Sequence, residues 1–198
     1  MISDIFKPAV VRVITPTARG LLRIGLTPNS VTAIGAIGVI ATSLIAYPSG
    51  HLFGGTVAIC LMALSDLFDG TMARISQKGA SRWGGFLDST VDRVTDSAIA
   101  LGLLLYLAEK HDSLAYILLL SILAGFLVSY IRARAESLQI ECKGGFAERT
   151  ERLIILLAAI GFTGLGVAYI LTIGIWLLAL ASSFTVVQRL LIVWKATK

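Results

Sequence analysis

Four aspartates set in apolar sequence are the residues of this chain whose type and spacing can do chemistry. They lie in two segments, Asp66-Leu67-Phe68-Asp69-Gly70-Thr71-Met72-Ala73-Arg74 and Gly84-Gly85-Phe86-Leu87-Asp88-Ser89-Thr90-Val91-Asp92. Asp66 and Asp69 are spaced i,i+3, and Asp88 and Asp92 i,i+4, so on helices each pair projects from one face. Two carboxylates ~4 Å apart repel by about 4 kcal/mol at an effective dielectric near 20, so four ionised together call for bound cations. Oxygen donors with no His or Cys among them favour Mg2+, Mn2+ or Ca2+ over zinc or copper, and their charge suits one or two divalent ions.

The residues between the aspartates are small. Gly70 and Ala73 fall within ~40° of Asp66 on a helical wheel, and Gly84 lies one turn before Asp88, which clears room for something bulkier than a metal ion. With Arg74 at the edge, the pattern describes a site for an anionic, metal-bound ligand such as a diphosphate. Helix packing alone would explain the glycines. It does not explain five charged groups concentrated within two turns of each segment.

The elements that carry this site are apolar helices. Of 198 residues, 56% are apolar and 15% charged, and mean hydropathy is +0.85; a soluble domain runs near about 45–50% and about 25%. An ionised side chain at membrane depth is costly unless it faces a cavity or a partner, which makes the aspartates functional candidates. Apolar runs at 31–47, 54–69, 91–108, 113–131, 153–167 and 170–187 predict six transmembrane helices, an all-α integral membrane fold. Breaks at Pro48-Ser49-Gly50, at Glu109-Lys110-His111-Asp112 and at Gly161, Gly164 and Gly166 carry turn chemistry. At ~20 residues per span, no room remains for a separate soluble domain, so 1–198 is read as one membrane domain with its six-helix part over about 28–194.

Every Lys and Arg except Lys110 falls before the first span, around the second and fourth connections, or after the last span. The positive-inside rule therefore puts both termini and the aspartate site in the cytoplasm, with the protein multi-pass in the plasma membrane. These clusters account for the net charge of +5, and no nucleic-acid partner is expected. Residues 3–24 are too interrupted by charge to span. On a helix, Arg12, Arg19 and Arg23 share one side, and Phe6, Val10, Val13, Leu21 and Ile24 the other, which predicts an amphipathic helix on the membrane surface, kinked at Pro16. Cys60 and Cys142 have neither disulfide nor zinc spacing, and His51 and His111 sit alone in polar breaks; all four read as packing or loop residues.

The motif Asp66-x-x-Asp69-Gly70-x-x-Ala73-Arg74, nine residues, Gly84-x-x-x-Asp88-x-x-x-Asp92 resembles the signature of the CDP-alcohol phosphotransferases at all eight positions. The resemblance implies transfer of a phosphatidyl group from CDP-diacylglycerol (CDP-DAG) to an alcohol, with release of CMP. It implies that Asp66, Asp69 and Asp88 hold metal, one or two Mg2+ with Mn2+ as the substitute. Asp92 would also touch metal and act as the base, and Gly70 and Arg74 would contact the nucleotide. Pro28-Asn29-Ser30-Val31-Thr32 resembles the family's nucleotide-binding stretch, as does Ser81. On physical grounds alone, Thr27-Pro28 is equally a helix start. A homodimer is implied by the resemblance only. Asp96, one turn past Asp92, lies outside the signature.

Arg132 and Arg134 end the fourth span, Arg149 and Arg152 begin the fifth, and Arg189 ends the sixth. Guanidinium forks suit a phosphate dianion, which points to a phosphorylated acceptor, although the positive-inside bias alone also places arginines here. Ser129-Tyr130-Ile131-Arg132-Ala133-Arg134-Ala135-Glu136, Gly144-Gly145-Phe146 with Glu148-Arg149-Thr150-Glu151-Arg152, and Val187-Gln188-Arg189-Leu190 resemble the actinobacterial phosphatidylinositol-phosphate synthases. That resemblance implies inositol phosphate as acceptor, with its phosphate on Arg132, Arg134, Arg152 and Arg189. Glycerol phosphate, the acceptor of phosphatidylglycerophosphate synthases, carries the same dianion. A cation transporter would also place aspartates in the membrane but needs polar groups through its full thickness, whereas here, Asp96 aside, the charges gather at the cytoplasmic ends.

Overall fold

A computed structural model describes residues 14–76, 81–142 and 144–198, and all their regular structure is helical. Residues 14–23 form α1, followed by α2 (Pro28–Ala46), α3 (Leu52–Ala63), α4 (Ser65–Ile75), α5 (Arg82–Glu109), α6 (Leu114–Ser137), α7 (Arg149–Gly164) and α8 (Ile170–Ala196). Of the surface helix expected over 3–24, the part before residue 14, including Phe6, Val10, Arg12 and Val13, lies outside the described residues.

Local chemistry starts these helices. Thr27 Oγ1 accepts the Ser30 N–H at 3.2 Å ahead of Pro28, the first residue of α2, so the Thr-Pro start acts as a cap. Ser81 Oγ accepts the Gly84 N–H at 2.9 Å and caps α5 in the same way. The second apolar run folds as α3 and α4 with a single-residue break at Leu64.

Four helical stretches are long and apolar enough to cross a membrane: Pro28–Ala46, Leu52–Ile75, Leu114–Ser137 and Ile170–Ala196. Their outer faces carry Ile37, Ile45, Leu120, Leu123, Trp176 and Leu180 exposed. Apolar faces on that scale have no soluble rationale; they fit an integral, multi-pass membrane protein. The other two expected spans differ for distinct reasons. α5 has 28 residues but carries Asp88, Asp92, Arg93 and Asp96 in its first half, while α7 has 16 and rises only ~24 Å.

The chain divides into two compact units, Met1–Ser43 with Val57–Ile99, and Leu44–Thr56 with Ala100–Lys198. In the first, α2 runs antiparallel to the chain leading into α4. Side chains pair off in descending order along it: Thr32 with Asp69, Gly35 with Ser65, and Gly38 with Met62. A Cβ on Gly35 would overlap the Ser65 side chain, and one on Gly38 would lie 2.9 Å from Met62 Sδ. Glycine at these two positions is what lets the helices approach. In the second unit, α8 packs along α6 and α7. α6 presents Leu118, Ser121, Ala124, Val128, Ile131 and Ala135, and α8 buries Gly174, Ile175, Leu178, Ala181, Ser182 and Thr185, interleaving small and large residues.

Candidate active site

All four signature aspartates belong to the first unit. α4 carries Asp66 and Asp69 one turn apart, and α5 carries Asp88 and Asp92. Asp69 is buried, 7% exposed, and its Oδ2 accepts a hydrogen bond from Thr32 Oγ1. Thr32 is itself only 6% exposed. The charges of Asp66 and Asp88 both act on the Asp69 carboxylate, which puts carboxylates from α4 and α5 in one neighbourhood. Asp66 and Asp88 are exposed and Asp92 half-buried, with Asp92 Oδ2 3.5 Å from Arg93 Nη2. Asp96 is half-buried one turn further along α5.

Among the described residues, no three Asp, Glu, His or Cys side chains are gathered tightly enough to hold a metal ion as they stand. The donor chemistry nonetheless fits a hard divalent cation: every candidate ligand is a carboxylate oxygen, and like charges crowd a buried member of the set. A cation among them would relieve that repulsion.

The residues assigned to the nucleotide belong to the same unit, on α2 and α4 and just ahead of α5. A Cβ on Gly84 would lie 3.1 Å from Ser81 Oγ and 3.5 Å from Asn29 Oδ1, so Asn29, Ser81 and Gly84 meet at the starts of α2 and α5. Ser30 Oγ and Thr27 Oγ1 are 2.7 Å apart. Val31, one residue before Thr32, is half-buried. Gly70 has open space where a Cβ would stand. Arg74 lies along its own helix, Nε donating to the Gly70 carbonyl at 3.0 Å and Nη2 to Thr71 Oγ1 at 3.4 Å.

The arginines assigned to the acceptor occupy the second unit in unequal settings. Arg132 and Arg134 are exposed at the end of α6, with Arg132 Nε on Glu136 Oε1 at 3.0 Å and Arg134 Nη1 on Ser137 Oγ at 3.3 Å. Arg152 is half-buried, its Nη1 donating to the Ala147 carbonyl at 2.8 Å. Arg189 is 3% exposed. Its Nε donates to the Gly144 carbonyl at 3.2 Å and its Nη1 to the Val128 carbonyl at 2.6 Å.

Three features go beyond what the sequence pattern predicts. Gly35 and Gly38 admit the close approach that brings Thr32 to Asp69, and their Gly-x-x-Gly spacing was a readable signal. Arg93 stands beside Asp92 as a counter-charge. Thr185 and Gln188 bind the chain at Ala147 and Phe146, contacts that nothing local announces.

The family model for CDP-alcohol phosphatidyltransferase matches residues 25–187. A phosphatidylinositol phosphate synthase of Streptomyces avermitilis is 43% identical, the match covering 98% of this chain and 82% of the relative. The crystal structure of the Mycobacterium tuberculosis phosphatidylinositol phosphate synthase with CDP-DAG bound superposes with a TM-score of 0.89 at 43% identity, covering 92% of this chain and 94% of that one. The same enzyme in complex with manganese and citrate gives 0.87 at 43% identity, over 91% and 88%. With the signature complete and the match running through most of its length, the chain belongs to the CDP-alcohol phosphatidyltransferase family.

Proposed function

We propose that this protein transfers the phosphatidyl group of CDP-DAG to inositol phosphate, giving phosphatidylinositol phosphate and CMP. The observation that carries the reading is near-full-length similarity to enzymes of that activity, one of them crystallised with CDP-DAG. The charges of Asp66 on α4 and Asp88 on α5 acting on the buried Asp69 support it.

Asp66, Asp69, Asp88 and Asp92 hold one or two divalent cations, Mg2+ or Mn2+; manganese accompanies the related enzyme. When bound, such a cation neutralises the diphosphate and the departing CMP. Asn29, Ser30, Val31, Thr32, Gly70, Arg74 and Ser81 form the CDP-DAG side. The acceptor hydroxyl attacks the phosphatidyl phosphorus, the P–O bond to the cytidylate breaks, and Asp92 takes the hydroxyl proton on a carboxylate oxygen. Arg93 steadies the charge of Asp92 beforehand. Arg132, Arg134, Arg152 and Arg189 hold the acceptor phosphate through charge-assisted bonds.

The whole chain works as one domain of six transmembrane helices, α5 and α7 completing the four apolar spans, with α1 lying on the membrane surface. Both termini and the active site face the cytoplasm from the plasma membrane, as the basic connections favour. The protein is a homodimer, by the same family argument, and cross-linking in native membranes that returned only monomer would refute that.

Purified protein in detergent, with CDP-DAG and Mg2+ or Mn2+, tests the activity through CMP release with inositol phosphate, free inositol and glycerol 3-phosphate side by side. Inositol phosphate should be preferred. Preference for glycerol phosphate would overturn the acceptor while leaving the family reaction. Preference for free inositol would overturn the phosphate-binding arginines.

A further inference from the structure

The turn between α6 and α7 is fastened to α8 by side chains spaced one helical turn apart. Thr185 Oγ1 accepts the Ala147 N–H at 3.1 Å, and Gln188 Oε1 accepts the Phe146 N–H at 3.1 Å. The turn then returns its own carbonyls to two arginines, Gly144 to Arg189 Nε at 3.2 Å and Ala147 to Arg152 Nη1 at 2.8 Å. Thr185 and Ala147 are both buried, so water does not substitute for the contact between them. Gly144 and Gly145 take φ of +90° and +146°, which side chains resist. A Cβ on Gly145 would also lie 2.6 Å from Thr185 Cγ2. The backbone thus passes against Thr185 closely enough for only glycine to fit.

A guanidinium carries five N–H donors in a rigid fork. Committing Nη1 of Arg152, and Nε and Nη1 of Arg189, to fixed carbonyls sets the direction of the remaining donors, and a fork oriented in advance loses less entropy when it takes a planar or tetrahedral anion. We infer that Thr185 and Gln188 are positioning residues: by pinning Gly144–Ala147 to α8 they orient Arg152 and Arg189 for the acceptor phosphate. This rests on the acceptor role proposed above for those arginines. Neither residue is among those assigned to the metal, to CDP-DAG or to the acceptor phosphate.

The test compares full-length Thr185→Val, Thr185→Ser and Gln188→Met with Arg152→Gln, measuring KM for inositol phosphate, KM for CDP-DAG, kcat and Tm. Thr185→Val and Gln188→Met each remove one acceptor of a backbone N–H. Each should raise the inositol phosphate KM by roughly three- to tenfold, with CDP-DAG KM and kcat close to unchanged. Thr185→Ser keeps the hydroxyl and should restore the KM. If Thr185→Val does not fold, Gln188→Met carries the same comparison. An elevated KM in Arg152→Gln with unchanged values in Thr185→Val and Gln188→Met would overturn the inference alone. Equal rises in both KM values with a fallen Tm would overturn it in favour of a purely structural role. No change in Arg152→Gln would remove the acceptor reading on which it rests.

Discussion

Replacing Thr32 by Val separates two roles for one hydroxyl. Thr32 falls in the stretch that resembles a nucleotide-binding segment, yet its Oγ1 donates to Asp69 Oδ2 and also lies 3.1 Å from the Pro28 carbonyl. A hydroxyl has one proton to give. An ionised Asp69 takes it, because a charged acceptor makes the stronger bond. With the two residues 6% and 7% exposed, Val leaves Asp69 short of a donor that solvent does not replace. A hydrogen bond to a charged group contributes about 1.5–3 kcal/mol, which converts to roughly ten- to a hundredfold in affinity. Partners that orient a metal ligand lose about the same when removed. CMP release measured against Mg2+ or Mn2+ concentration should therefore shift by that factor to higher metal, with kcat recovered at saturation. Thr32→Ser keeps the hydroxyl and should stay within about threefold of the parent. An unchanged metal dependence alongside a raised KM for CDP-DAG would refute the reasoning and return Thr32 to the nucleotide.

Asp66→Asn, Asp69→Asn and Asp88→Asn should each abolish CMP release and weaken Mn2+ binding measured by calorimetry, since each removes a charged oxygen donor. Asp92→Asn should be inactive even where Mn2+ still binds; near-normal turnover would remove its role as base. Arg132→Gln and Arg134→Gln should chiefly raise the KM for inositol phosphate, by roughly ten- to a hundredfold, with CDP-DAG little affected. Arg189→Gln should also lower Tm, because Arg189 ties Gly144 to Val128 while the exposed Arg132 does not. Gly35→Leu should lower both Tm and activity, as any side chain there meets Ser65; wild-type values for both would contradict the close helix approach.

What the sequence by itself determined is what short-range geometry carries. Apolar runs and cation placement define the helices and their expected orientation, and i,i+3 and i,i+4 spacing puts each pair of aspartates on one face without reference to any other part of the chain. Thr27-Pro28 was legible as a cap for the same reason. The acceptor arginines were legible only as charges near helix ends, because the rule that gathers them is blind to which are buried. Tertiary structure decided that Arg189 is interior and twice bound to carbonyls, while Arg132 and Arg134 face outward. It also decided the partner of Asp69, which is 37 residues away, and the fastening of the Gly144–Ala147 turn by α8 residues 38 to 45 positions distant. Such contacts depend on which helices approach and how closely, and that follows from the summed packing of whole faces, with Gly35, Gly38 and Gly145 supplying the clearance.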